Sequence, residues 1–376
     1  MIVKTTSTLA DGRELIYFDD ADTTLSAERA VDSRILDPRP DTASMRQDVL
    51  TGEWVSIASA RQNRVFLPPE DEDPLAPASA SNPSEIPSNY DVAVFENRSP
   101  SFGPALADST RYGTTPDGAP APTGLADLAA LGIGRRLSSI GRCEVVCFSP
   151  ESQGSLGSQS VSRVRTVIEA WADRTATLSA LPGIQQVFPF ENRGEAIGVT
   201  LHHPHGQIYA YPYITPRTTR LIESVEKFGP DLFARILDSE LNSERVVLRG
   251  EHWSAYVPFA ARWPIEVHML PHRHVADFAD TSGAERDELS TLYRTLLRGI
   301  DAIYDTPTPY IAAWHQAPVN VHRDRLRLML QLTSPRRGAS KLKYLAGSEA
   351  AMGAWIGDVA PETSAELVRT GIARST

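Results

Sequence analysis

Three histidines fall within four residues, at His202, His203 and His205, and Gln207 follows two residues later. In an extended chain, side chains two residues apart share a face, so His203, His205 and Gln207 are expected in a line on one side of a strand. Pro204 stiffens the backbone between the imidazoles. Gly206 would let the chain pass close to a ligand. Imidazoles at this spacing can ligate a metal. Alternatively, one can act as a nucleophile while its neighbours orient a phosphate, or the pair can be structural. The upstream turn Glu191-Asn192-Arg193-Gly194 and Gly198 would add polar groups and a close backbone, which suits phosphate chemistry. Outside this segment, His272 and His274 form a second i, i+2 pair, read as a solvated loop pair rather than a metal site.

These residues must be carried by a scaffold, and the sequence sketches one. The first 45 or so residues are polar, weakly periodic and expected to wrap over the surface. Thr51-Gly52 supplies a turn into a strand at 54–59, and further strands are expected at 91–95, 142–148, 185–190, 198–201 and 207–211. Residues 67–90 and 98–130, rich in Pro, Gly and polar types, read as long loops. Val161, Val164, Ile168, Trp171 and Leu178 recur at helical spacing, so a helix is expected over 160–181. A helix near 218–242 follows. The second half repeats this order, with strands near 245–249, 253–258, 265–270, 310–314 and 325–333 and a helix over 283–304. The fold class is therefore α+β, with mostly antiparallel sheets flanked by helices. Each half carries one histidine-bearing segment, His203-Pro204-His205 and His272-Arg273-His274, which suggests a duplication.

The composition excludes some partners. The 376 residues carry a formal net charge of −10, which argues against a general nucleic-acid binder. Lys+Arg total 37, and only Lys4, Lys227, Lys341 and Lys343 are lysines, so the cations are chiefly forked guanidinium groups suited to phosphate. Cys143 and Cys147 would lie roughly 13 Å apart in a strand, too far for a disulfide, so both are expected reduced in the core. No apolar run approaches a membrane span and no signal pattern opens the chain, so a cytoplasmic protein is expected.

The run from Phe190 to Ala210, with His203-Pro204-His205-Gly206-Gln207 inside it, resembles the active-site stretch of the galactose-1-phosphate uridylyltransferase family, in the histidine-triad superfamily. Leu50-Thr-Gly-Glu-Trp54, Arg61-Gln-Asn-Arg64, Val94-Phe-Glu-Asn97, Cys147-Phe-Ser-Pro150, Val257 to Pro264, Trp314-His315 and Lys343 to Glu349 match in the same order. The resemblance implies two histidine-triad-like halves, 1–220 with the nucleophile and 221–376, in a homodimer with shared sites. It implies that His205 attacks the α-phosphorus of UDP-glucose and that the uridylyl-histidine passes UMP to galactose 1-phosphate. Gln207 stands where related hydrolases carry a third histidine; an amide bonds a phosphate oxygen but delivers no proton at neutral pH, which favours a lasting intermediate.

By position, Arg61 and Arg64 match arginines near the substrate phosphates. Asn97 with Arg98, Asn192, Gly198 and Thr200 match the nucleotide- or sugar-contacting positions, and Lys343, Tyr344, Ser348 and Glu349 match a hexose-contacting segment from the partner subunit. Trp355 departs from the family there. The family's metals are expected lost. The zinc cysteines are replaced in Asp73-Pro74-Leu75-Ala76, a zinc histidine is replaced near Ser152, and only His203 remains. Leucines stand at the iron positions of Leu328-Met329-Leu330-Gln331-Leu332, leaving His315 and, loosely, Glu223. No cofactor is therefore expected. The rival readings are a phosphorylase or adenylyltransferase acting on an ADP-sugar or dinucleoside polyphosphate, and a non-catalytic nucleotide-sugar binder.

Overall fold

The computed structural model describes residues 1–39, 43–63, 67–103 and 132–375. Arg64, the 40–42 stretch and most of the 98–130 loop lie outside these residues. The dominant element is an eleven-stranded sheet in the order β1-β2-β5-β7-β9-β8-β13-β14-β12-β11-β10, in which every adjacent pair is antiparallel. In the first half these are β1 (Val3–Thr8), β2 (Glu14–Asp19), β5 (Val92–Glu96), β7 (Arg142–Cys147), β8 (Gln186–Arg193) and β9 (His205–Tyr211). In the second half they are β10 (Val246–Arg249), β11 (Trp253–Tyr256), β12 (Ile265–Pro271), β13 (Tyr310–His315) and β14 (Met329–Ser334). A separate three-stranded sheet joins β3 (Ser44–Gln47), β4 (Trp54–Ile57) and β6 (Arg136–Ser138).

One face of the large sheet is sealed by two long helices, α1 (Val161–Ser179) and α4 (Gly283–Asp301). Val164, Ile168 and Trp171 of α1 and Leu289, Tyr293 and Leu297 of α4 pack against Ile208, Ala210, Trp314, Leu330 and Leu332. Period-2 alternation in β9 sends Gly206, Ile208 and Ala210 into this core and His205, Gln207, Tyr209 and Tyr211 to the opposite face. Ser160 caps α1 by accepting from the Arg163 amide, and Ser282 with Glu285 forms a capping box at α4. These caps explain why both helices begin where the periodicity begins.

The two halves meet at β8 and β13, where Phe190 pairs with Ala313. Phe190 also pairs with Gln207, and Ala313 with Gln331. The sheet therefore has an approximate two-fold at this seam. By register, Gln331 is the counterpart of Gln207, and Met329 the counterpart of His205. The expected counterpart pair, His272 and His274, instead follows the end of β12. His272 Nε2 lies 2.8 Å from Ser254 Oγ.

Several expectations are corrected. The first residues do not merely wrap the surface: β1 and β2 extend the sheet, and Leu15, Ile16, Tyr17 and Phe18 are buried. Residues 198–201 are not a strand. Gly198, at φ +82°, ends a short 3₁₀ turn over Glu195–Ile197, a left-handed conformation that glycine tolerates. β8 continues to Arg193, through the expected turn. The helix near 218–242 is two, α2 (Pro216–Phe228) and α3 (Leu232–Leu241), because Gly229 takes φ +103° and Pro230 follows. The C-terminal helices α5 (Gly347–Met352) and α6 (Pro361–Ser375) were not anticipated.

Candidate active site

The strand register places His205 and Gln207 side by side on the open face of β9, but not His203. β9 starts at His205, and His203 precedes it with its side chain turned into the protein. His203 Nδ1 lies 2.7 Å from Asp73 Oδ2, and Nε2 lies 2.7 Å from the Ser149 carbonyl oxygen and 3.0 Å from the Tyr90 hydroxyl. The line of three side chains on one face is thus replaced by two, with the third serving from behind. Gly206 is also reassigned. A Cβ there would meet Phe148 at 2.8 Å and the Phe190 carbonyl at 3.0 Å, so glycine admits a neighbouring strand and ring, not a ligand.

His205 Nδ1 lies 2.7 Å from the carbonyl oxygen of His203. A carbonyl only accepts, so Nδ1 carries the proton and the lone pair resides on Nε2. That is the tautomer required of a nucleophile directed away from its own backbone. Two clefts open on this residue. The larger, about 660 Å³, is lined by His205, Gln207, Thr200, Asn97 and Arg98, with Leu75, Phe95 and Val145 as apolar wall and Asp37 and Glu85 as acidic rim. Its size and mixed lining suit a nucleotide, with apolar side chains for a flat base and amides for polar groups. The smaller, about 200 Å³, is lined by Asn192, Glu195, His202, His203 and His205.

Local bonds hold the larger cleft's lining. Asn97 Oδ1 accepts from the Ser99 amide at 2.9 Å, and Arg98 Nη2 donates to the Asp37 carbonyl at 2.8 Å. The Thr200 carbonyl accepts from the Leu67 amide at 2.9 Å. Glu85 is paired at 2.6 Å with Arg13, whose side chain is fully buried beneath the rim. Arg13 also donates to the Glu96 carbonyl at 2.7 Å. Leu75, Glu85, Phe95, Val145 and Asp37 were not singled out from the sequence. The strand alternation of Phe95 and Val145 was a usable signal; the loop residues gave none.

Other expected residues lie elsewhere. Arg61 is in a 3₁₀ turn over Ser59–Asn63 and lines neither cleft; its Nη1 is buried with no hydrogen-bond partner among the described residues. Lys343, Ser348 and Glu349 line neither cleft of their own chain and are tied to one another's surroundings. Lys343 Nζ lies 3.5 Å from Glu349 and donates to the Arg262 carbonyl at 3.2 Å. Ser348 Oγ donates to the Ala354 carbonyl at 2.8 Å, and Tyr344 is exposed.

The residues at the two positions where the resemblance implies metals are engaged by protein groups. Both nitrogens of His203 are engaged by Asp73, Ser149 and Tyr90. In the second half it is Gln331, not a leucine, that faces His315: Gln331 Oε1 lies 3.1 Å from His315 Nε2, and its amide nitrogen donates to Glu266 at 2.7 Å. Leu328, Leu330 and Leu332 point into the helix-covered core. Glu223 is exposed on α2. Among the described residues no three His, Cys, Asp or Glu side chains converge as a ligand set.

A histidine held in one tautomer, an amide two residues on and a nucleotide-sized cleft, on an antiparallel sheet, define a nucleotidyltransferase. Comparison with known proteins then gives the family. The N-terminal domain model of galactose-1-phosphate uridyl transferase matches residues 37–215, and the C-terminal domain model matches 221–366. The chain belongs to the galactose-1-phosphate uridyl transferase family. It is 41% identical to a galactose-1-phosphate uridylyltransferase of Streptomyces lividans, covering 97% of each chain. It is 32% identical to that of Thermotoga maritima, covering 86% of this chain and 97% of the relative. A solved uridylyltransferase structure superposes with a TM-score of 0.75 at 27% identity, covering 89% of this chain and 99% of the other. An ADP-glucose phosphorylase from Arabidopsis thaliana shares the fold, with a TM-score of 0.62 at 22% identity.

Proposed function

We propose that this chain transfers UMP from UDP-glucose to galactose 1-phosphate through a uridylyl-His205 intermediate. The observation that carries the mechanism is the 2.7 Å contact from His205 Nδ1 to the His203 carbonyl, which leaves the lone pair on Nε2. Nε2 forms a bond to the α-phosphorus as the bond to the β-phosphate oxygen breaks, and glucose 1-phosphate leaves. The imidazole is then positively charged, and the fixed carbonyl dipole at Nδ1–H stabilises that charge. A phosphate oxygen of galactose 1-phosphate attacks the same phosphorus, and Nε2 departs with its electron pair. No net proton is exchanged. Gln207 donates a hydrogen bond to a phosphoryl oxygen but neither delivers a proton nor takes one from water, so the intermediate persists until the acceptor arrives.

The nucleotide occupies the larger cleft, with Asn97, Arg98 and Thr200 around the ribose and phosphates, and Asn192 in the smaller cleft on the other side of His205; Gly198 lines neither. Lys343, Tyr344, Ser348 and Glu349 act on the site of a second subunit in a homodimer, a reading supported by their absence from the clefts of their own chain. The reaction proceeds without a resident metal. No helix among the described residues is long and apolar enough to cross a membrane, and a cytoplasmic enzyme acting on free sugar phosphates fits that.

Intact-protein mass spectrometry after incubation with UDP-glucose alone tests the reading. A UMP adduct on His205, absent in His205→Ala together with transferase activity, is expected. An adenylyl adduct from ADP-glucose would replace this reading by the phosphorylase one, and binding without an adduct by the non-catalytic one. Near-stoichiometric zinc or iron in elemental analysis would refute the metal-free form.

A further inference from the structure

We propose that the buried Asp73–His203 pair is the positioning unit of the nucleophile, fixing the carbonyl that sets the tautomer and aim of His205. The inference rests on His205 being the nucleophile. The accepting carbonyl belongs to His203, which precedes β9, so no ladder hydrogen bond of that strand fixes it. Pro204, which follows, has no N–H to anchor the peptide unit. The Phe148 amide donates to the next carbonyl, that of Pro204, at 3.0 Å, and residue 203 itself is held by its side chain. Nδ1 is 2.7 Å from Asp73 Oδ2, and Nε2 is 2.7 Å from the Ser149 carbonyl. The Ser149 carbonyl cannot donate, so Nε2 donates to it, and Nδ1 faces the buried Asp73 carboxylate.

The other contacts tie three segments to this pair. Asp73 Oδ1 accepts from the Leu75 amide at 2.9 Å, and the Asp73 carbonyl accepts from Asn82 Nδ2 at 2.8 Å. The Tyr90 hydroxyl lies 2.7 Å from the Leu75 carbonyl, 2.8 Å from that of Ser149 and 3.0 Å from His203 Nε2. Leu75 also lines the larger cleft. One buried side-chain pair thus registers the loop behind the cleft, the segment after β7 and the carbonyl that aims the nucleophile. Asp73 touches no reacting atom and acts only through His203.

The test compares the full-length chain with Asp73→Ala and Asp73→Asn. Measured are kcat, KM for UDP-glucose, the single-turnover rate of His205 uridylylation and Tm. In Asp73→Ala, kcat and the uridylylation rate are expected to fall by about 10²-fold, the scale of a small misplacement of a reacting group, with KM within a few-fold of wild type. Asparagine still accepts from Nδ1 but carries no charge, and is expected to fall between. Where the alanine variant does not fold, the asparagine variant decides: reduced kcat supports the proposal, wild-type kcat overturns it. Folded variants with wild-type kcat and uridylylation rate overturn it whatever their Tm, as does an effect confined to KM. A wild-type chain that forms no His205 adduct refutes the functional reading itself, whereas an adduct whose rate is indifferent to Asp73 refutes only this inference.

Discussion

Glu191 shares a strand with Asn192, but its carboxyl points the other way, into the core under the helices. Its Oε1 accepts from the Tyr310 hydroxyl at 3.0 Å, while Oε2 is buried with no hydrogen-bond partner among the described residues. Burial, only partly offset by the nearby Arg193 guanidinium and the Tyr310 hydrogen bond, pushes its pKa up to about 7 from 4.5. The folded state therefore binds more protons than the unfolded state between these values, and stability falls as pH rises from 4.5 to 7. The full effect is roughly 3 kcal/mol. Glu191→Gln, which keeps an acceptor for Tyr310, is expected to remove this slope and raise stability at pH 8, as measured by urea unfolding across pH. An unchanged slope would contradict the assignment. Asp73 shows the opposite balance: burial raises its pKa, but the His203 imidazole beside it, with the Leu75 amide and the Ser152 side chain, brings it below the usual value. Asp73→Ala, leaving the buried His203 Nδ1 without its partner, is expected to cost about 1–3 kcal/mol, read as a lowered Tm.

Among the elements, α4 and α6 make the closest helix contact through glycine. A Cβ on Gly371 would meet the Gly299 carbonyl oxygen at 2.2 Å, and one on Gly299 would meet Ile372 at 2.4 Å. Neither glycine takes a positive φ, so backbone proximity, not conformation, demands them. Gly371→Leu is expected to force α6 off α4 and destabilise by about 1–3 kcal/mol, the usual cost of overpacking. Because α6 lines neither cleft, KM for UDP-glucose should stay at the wild-type value in the folded variant. A changed KM with unchanged stability would refute the separation of these roles.

For the molecule as a whole, the approximate two-fold of the sheet sets the half that carries His205 against a half with no histidine at the corresponding position. Gln207 has a glutamine counterpart, Gln331, but His205 is matched by Met329, which belongs to a buried apolar cluster with Tyr256 and Leu270. The second half instead holds a buried polar chain from His315 through Gln331 to Glu266, with His268 3.2 Å from Glu266. It also carries the Lys343–Glu349 segment, which lines neither cleft of its own chain. If that segment serves a partner's site, coexpressed His205→Ala and Glu349→Ala chains, each inactive alone, regain activity in mixed dimers. No recovery in verified mixed dimers would refute site sharing.

By itself, the sequence determined the elements with strong local signals. The α1 and α4 helices follow from hydrophobic periodicity with serine caps, β5, β7 and β12 from apolar runs, and the His205–Gln207 pair from period-2 alternation in β9. Tertiary structure alone decided where strands begin and which register joins them. That is why His203 left the shared face, why Gln331 and not a leucine meets His315, and why β1 and β2, with no strong periodicity, became sheet strands. It also decided the partner of His203. Asp73 is 130 residues away in sequence, and only folding brings the carboxylate to 2.7 Å of the imidazole that lies behind His205. Local propensity specifies a few residues at a time, whereas burial and charge pairing are properties of segments that meet only in the packed chain.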